Sequence, residues 1–302
     1  IGDRRQRQMC IRDRVRNEFE RGENSPFDVL DKNIWATAYQ AHPYHHSTIG
    51  WRSDIENVST DRLKEFYNVY YWPNNATATI IGDFETSEAL ELVKKYFGEH
   101  PKSDNPIPDV YTAEPDQEGE RRIVVKRSGQ TGIVGVAHKT PAGLHQDTYA
   151  FQILSKILTD GKSSRFYKGI VDKGLATSLF MYDFPFKDNG LFISYAFLTP
   201  NTDNQKVESI ILNEYSKIAN DGITENELKK AKAQISSDIS FSRDGSYAIA
   251  GALNEALAIG DWKFYTNFIE NINNVSVKDV QSIVKKYLVE DQSTVGWFIP
   301  KK

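Results

Sequence analysis

The strongest constraint on the fold of this 302-residue chain is that it writes one local plan twice. Asn57-Val58-Ser59 opens a helical run to Tyr71, after which Thr77-Ala78-Thr79-Ile80-Ile81-Gly82 reads as a strand. Asn274-Val275-Ser276 opens a matching run to Tyr287-Leu288, after which Ser293-Thr294-Val295-Gly296-Trp297-Phe298-Ile299 reads as a strand. Serine stands at each N-cap, where its side-chain oxygen can accept from exposed amides of the first turn. Apolar residues then recur at helical spacing: Leu63, Phe66, Tyr67 and Tyr70 in one copy, Val280, Ile283, Val284 and Tyr287 in the other. Two matched ends, each preceded by a longer helical stretch, indicate a duplicated unit.

A polar, proline-rich stretch near 101–120 separates the copies. Pro101, Pro106, Pro108 and Pro115 lie there among Asp, Glu and Lys. The expected units are therefore 15–112 and 113–302. Before the linker, Ser87–Phe97 is helical on a Leu90, Val93, Phe97 face. After it, Ile123–Lys126 and Thr131–Ala137 read as strands. Helices are expected at Asp147–Leu158 and Ser163–Val171, with Ser163 a candidate cap. Strands follow at Ala176–Tyr182 and Leu191–Phe197. Further helices run over Asn204–Ala219, from the capping box Thr224-Glu225-Asn226-Glu227 toward Phe241, and over Gly245–Ile259. This mixed order predicts an α+β fold: repeated units of a largely antiparallel sheet covered by helices. The second unit is expected to be complete. The first shows only the later half of the plan, so it is expected to be truncated.

Composition narrows the function. A net charge of −4 and ordinary hydrophobic and charged fractions, 39% and 26%, give no sign of a nucleic-acid or anionic-membrane partner. No apolar run reaches the roughly 18 residues of a membrane span. Cys10 is the only cysteine, which excludes an intramolecular disulfide framework and a cysteine-based zinc site. Ile1–Arg14 (IGDRRQRQMCIRDR) resembles translated sequencing-adapter read-through and is expected to be non-native, with the fold starting at Val15. The start is basic rather than basic-then-apolar, so no secretory leader is read. The compartment stays open between bacterial periplasm and cytoplasm.

The histidines offer no metal motif. They are His42, His45, His46, His100, His138 and His145, and H-x-x-E-H occurs nowhere. His42 and His46 are four apart, but Pro43 and Ser47-Thr48-Ile49-Gly50 argue for a loop whose imidazoles pack on neighbouring helices. His138 and His145 straddle Pro141-Ala142-Gly143 and read as a strand end and a surface helix start.

Three phrases carry a family resemblance. They are Asn17-Glu18-Phe19-Glu20-Arg21 with Asn24-Ser25-Pro26; His42-Pro43-Tyr44-His45-His46-Ser47-Thr48-Ile49-Gly50-Trp51; and Phe66–Thr77 running into Ile81-Gly82-Asp83. The second unit adds Gly161–Tyr167 and Lys173-Gly174-Leu175-Ala176. In order and spacing the chain after residue 14 resembles the pitrilysin/insulinase family of zinc metallopeptidases. The resemblance implies repeated α+β units around a chamber, with zinc held by two histidines of H-x-x-E-H and a downstream glutamate. By its place in the phrase, Glu18 matches that glutamate. Glu20 and Glu23 are its neighbours, and Glu20 points well away from Glu18 on a helix.

The implied protein is a zinc-dependent endopeptidase acting on extended peptides. This chain would be its C-terminal part, expected to be inactive without a missing N-terminal half or a homologous partner subunit. Active members place an Arg and a Tyr in the second unit, and the matching positions here are about Val171 and Thr177. Arg165 and Tyr167 belong to another phrase and are expected to cap and pack their helix. This departure leaves a second reading open, a non-catalytic scaffold or partner subunit of the same family. A third is a peptide-binding module with no tie to metal.

Overall fold

The computed structural model describes residues 2–301, with side chains described from residue 11 onward. The elements before the linker are all helices: α1 (Gly2–Glu23), α2 (Pro26–Ala38), α3 (Arg52–Asn57), α4 (Thr60–Tyr70) and α5 (Thr86–Phe97). After it come β1 (Arg121–Ser128), β2 (Ile133–Lys139), α6 (Asp147–Thr159), β3 (Ala176–Tyr182) and β4 (Leu191–Leu198). The chain continues through α7 (Asn204–Asp221), α8 (Glu225–Ser242), α9 (Ser246–Ile259), α10 (Lys263–Thr266), α11 (Phe268–Asn274) and α12 (Val277–Tyr287) to β5 (Ser293–Lys301).

The five strands form one sheet in the order β1-β5-β2-β4-β3. Only β1 and β5 run parallel; β5 with β2, β2 with β4, and β4 with β3 are antiparallel. The α+β architecture and its largely antiparallel sheet are as expected. β2 and β4 are buried almost without interruption, because helices cover both faces of the sheet centre. On one face lie α6, α7, α8 and α12, contributing Phe151, Leu154, Ile211, Tyr215, Ile235, Val280 and Ile283 to the larger core.

The other face is covered by α2, a helix from before the linker. Ser25 caps it by accepting from the Asp28 amide at 3.2 Å, with Pro26 at its first position. Its Val29, Leu30, Ile34 and Ala38 are buried against β2, β4 and β5. Gly135 and Gly296, paired across β2 and β5, make the close approach possible. A Cβ added at Gly135 would lie 2.5 Å from Ile34 Cδ1, and one at Gly296 2.5 Å from Ile34 Cγ1. Arg121 of β1 closes the far end of α2 by donating to the carbonyls of Thr37 at 3.2 Å and Ala38 at 2.6 Å.

The caps form where the sequence places them. Ser59 accepts from the Arg62 amide, and Thr224 with Glu227 and Ser276 with Asp279 make reciprocal capping boxes. Two expectations fail. Thr77–Gly82 is irregular rather than a strand, because no segment among the described residues pairs with it. Ser163–Val171 is not one α-helix: Arg165 and Phe166 are helical, then Tyr167–Val171 widens into a π-turn. Phe166 and Ile170 are buried, and Ser163 meets the Lys230 ammonium instead of capping. The backbone of Gly2–Arg14 continues α1, and Arg12 donates to the Glu56 and Val58 carbonyls at 3.1 and 2.9 Å.

Gly296→Ala should destabilise the protein by about 1–3 kcal/mol, since its methyl meets Ile34 in a packed interface. Adding Ile34→Ala should make the double variant less unstable than the sum of the two single changes. Urea unfolding of the four proteins measures both quantities.

Candidate metal and peptide site

Glu18 stands on the last turns of α1, exposed, at the mouth of a cavity of about 450 Å³. The cavity lies between the α1–α2 corner, the turn after α2, and the loop following β3. Phe19, Glu23, Asp28, Asp31 and Lys32 line it from the helices. Trp35, Tyr44, Tyr182 and Phe186 give it an aromatic wall. The geometry separates the three glutamates of the phrase. Glu23 is held by Lys32 and by Arg127, the latter at 2.9 Å. Burial acts to raise its pKa, but the two cations outweigh it and hold the carboxyl below the usual range. Glu20 pairs with Arg16 at 3.6 Å on the helix surface. Among the described residues no hydrogen bond or ion pair engages the Glu18 carboxylate.

The histidines do not join it in a metal site. His42 opens a short 3₁₀ turn, Pro43–His45, and its Nδ1 accepts from the Tyr44 amide at 3.2 Å. Its Nε2 lies 3.5 Å from Asp188. His46 lines the cavity, but its Nδ1 accepts from the Trp51 indole at 3.3 Å. The loop expected from Pro43 is therefore present, and His42 and His46 serve different neighbours. His138 is fully buried in β2, where burial pushes its pKa down to about 4. His145 precedes α6, accepting from the Asp147 amide at 3.1 Å. Among the described residues no three His, Cys, Asp or Glu side chains come together to hold a metal ion. One carboxylate without imidazoles does not fit a catalytic zinc, which needs three protein ligands.

Arg165, expected to cap its own helix, instead joins α7 to α8. It pairs with Glu227 at 2.7 Å and Glu214 at 3.0 Å, and reaches the Gly222 carbonyl at the end of α7. Thr177 donates to the Phe197 carbonyl and Val171 closes the π-turn, so neither position carries a cation or a phenol.

The residue that sequence reasoning missed is Glu114. It lies in the linker, yet its carboxylate accepts from three successive amides, Gln40, Ala41 and His42, at 2.9–3.1 Å. Lys139 of β2 adds a fourth donor at 2.9 Å. Burial would raise the Glu114 pKa, but the amides and the Lys139 ammonium bring it down to about 2. The linker thus ties the turn after α2 to the sheet. Tyr39 and Tyr44 complete the tie: the Tyr39 hydroxyl donates to the Asn189 carbonyl at 2.5 Å, and the Asp188 amide donates to the Tyr44 hydroxyl at 3.3 Å. Asp31, inside the cavity, accepts from the Tyr195 hydroxyl at 2.6 Å, and burial raises its pKa.

This geometry can be set beside known proteins. The family profile described as "Peptidase M16 inactive domain" matches residues 57–235, more than half of the chain. The chain belongs to the peptidase M16 family. It is 32% identical over 283 residues to the zinc protease PqqE of Helicobacter pylori, covering 93% of this chain and 64% of that protein. It is 24% identical to the uncharacterized zinc protease YmxG of Bacillus subtilis, covering 92% of this chain and 67% of that protein. A crystal structure of a Helicobacter pylori protease superimposes with a TM-score of 0.92 at 31% identity, covering 97% of this chain and 72% of that one. The M16 inactive domain of Pseudomonas fluorescens, at 18% identity and a TM-score of 0.85, shares the fold. This M16 chain thus spans about two thirds of the length of such relatives. No helix among its described residues is long and apolar enough to cross a membrane.

Glu114→Gln should destabilise the protein by about 1–3 kcal/mol at neutral pH, where a charge-assisted acceptor for three amides is lost. The folded pKa lies below the ordinary 4.5, so the carboxylate's contribution is present above 4.5 and lost as pH falls toward about 2. Stability curves of parent and variant should therefore converge between those values, as thermal unfolding at stepped pH would show.

Proposed function

We propose that this chain is the C-terminal part of a zinc-dependent M16 endopeptidase that cleaves unfolded peptides. Residues 15–112 form the later half of its first unit and 113–302 the whole of its second. Glu18 supplies one zinc ligand, and the second unit closes the substrate chamber. The observation that carries this is the sorting of the glutamates. Glu20 and Glu23 are engaged, while Glu18 is exposed at a cavity and uncommitted among the described residues. Zinc itself would supply the activation of water. The remaining ligands and the general base must come from polypeptide outside the described residues, from the first unit's earlier half or a homologous partner subunit.

The chain's own residues bind and orient the peptide. β3 is an edge strand, and Tyr182 at its end lines the cavity. A peptide added along such an edge in extended form would run toward Glu18, with side chains against Trp35, Tyr44 and Phe186. We read residues 1–14 as foreign sequence, which a genomic read across this region checks. A scaffold subunit is the second reading, favoured by the missing Arg and Tyr at Val171 and Thr177.

The purified chain should neither retain stoichiometric zinc nor cleave a fluorogenic peptide. Joined to its upstream gene sequence it should hold about one zinc, and Glu18→Gln should lower zinc affinity at least about tenfold by atomic-emission analysis after dialysis. Chelator-sensitive hydrolysis by this chain alone would refute the assignment. A full-length protein without zinc would make it a scaffold.

A further inference from the structure

A second cavity, of about 530 Å³, adjoins the first and shares Tyr44, Tyr182 and Phe186 with it. The two lie on opposite faces of the sheet. Phe180 and Tyr182 of β3 pack into the core under α2, on the side of Glu18, whereas Leu179 and Met181 pack into the core under α6 and α8. Gln152 of α6, Ile239 of α8, Ala252 of α9 and Phe268 of α11 line the second cavity, which places it on that other side. Its charged lining residues, Lys187 and Glu255, are of opposite sign and exposed, so its wall carries no net charge.

The partition between the cavities is the segment 183–190, and it is fixed from both sides. Gln152 donates to the Asp183 carbonyl and the Gly143 amide to the Phe186 carbonyl, both at 2.7 Å. A Cβ added at Gly143 would lie 2.7 Å from that same oxygen, and one at Gly190 2.9 Å from Phe186 Cδ2. From the α2 side the Tyr39 and Tyr44 hydroxyls hold Asn189 and Asp188. Phe184 differs from the rest of the segment: its ring is 62% exposed, and it lines the second cavity but not the first. A wall fixed before a ligand arrives costs little ordering on binding, and an exposed aromatic ring on that wall gains by being covered.

β3 is an edge of the sheet, and an extended peptide paired there continues the alternation of the sheet, with successive side chains pointing to opposite faces. We propose that the second cavity is a subsite for one bulky apolar side chain of that peptide. A residue lying against Trp35 and Phe186 in the first cavity is accompanied, an odd number of positions away, by one enclosed by Phe184, Ala252 and Phe268 in the second. An even spacing puts both side chains on one face, where they cannot fill both cavities. A wall without net charge selects a neutral aromatic or aliphatic side chain. The shared Tyr182 and Phe186 make the two cavities neighbours along one peptide rather than sites for separate ligands. The inference rests on the extended-peptide reading above, but not on zinc or on Glu18.

Fluorescence anisotropy of labelled peptides with the purified chain tests this. Each peptide is built of Ser and Thr and carries two Phe residues one, two or three positions apart. The better of the odd spacings should bind at least about tenfold more tightly than the spacing of two. Phe184→Ser, which removes one wall of the second cavity, and Ala252→Phe, which fills it, should each abolish that difference, while Phe184→Leu should keep it. Phe184 is exposed and Ala252 half-buried, so all three variants should unfold close to the parent's urea midpoint. No binding of any two-Phe peptide, a preference for the even spacing, equal affinity at all spacings, or a difference that survives both Phe184→Ser and Ala252→Phe would each overturn the proposal. Metal and hydrolysis enter none of these readouts. Binding without a spacing preference would strike the second subsite and leave the extended-peptide reading standing.

Discussion

The close packing of α2 on paired glycines is the contact on which the rest of the structure depends. Gly135 and Gly296 remove two side chains from adjacent strands, and Ile34 fills the space they leave. That contact buries the second face of the sheet, so β2 and β4 need no polar face. It also fixes everything attached to α2. The α1–α2 corner, the His42–Tyr44 turn and the cavity beside Glu18 are held against β3 and its following loop because α2 cannot shift. Glu114 then secures the far end of the same helix through three amides and Lys139.

The site inherits its character from this arrangement. The cavity has walls from both sides of the linker, so its shape is a property of the packed pair and of neither part alone. Electrostatics sorts its carboxylates by task. Glu23 is held by two cations and serves as a strut, Asp31 is buried under a tyrosine hydroxyl, and Glu18 stays in solvent. An exposed carboxylate without an ion pair can meet a cation with no existing pair to break first. The chain belongs to the peptidase M16 family and is similar to named zinc proteases.

Much of the fold was legible in the residues. The caps at Ser59, Thr224 and Ser276, the linker prolines and the buried strands β2 and β4 follow from local chemistry, and local chemistry decided them. Thr77–Gly82 did not follow: it has the composition of a strand, but a strand exists only when something pairs with it. The π-turn at Tyr167 was hidden because Phe166 and Ile170, four apart, follow the ordinary helical repeat. Glu114 was hidden for a similar reason. A glutamate among linker prolines looks solvated until the chain brings three amides to it. His42 and His46 stand in the loop that Pro43 and Ser47–Gly50 imply, outside any shared helix. Glu18 stood out only through the phrase around it, since an exposed helix glutamate has no signature of its own.

One plan is written twice, and among the described residues only one copy has its sheet. Hydrogen exchange of backbone amides in the monomeric protein tests it most directly, by comparing Thr79–Gly82 with its counterpart Gly296–Ile299. The β5 amides sit in ladders on both sides and should exchange only through global unfolding. Those of 79–82 should exchange orders of magnitude faster, at rates near those of an unstructured peptide. Equal protection of the two segments in the monomer would contradict the account.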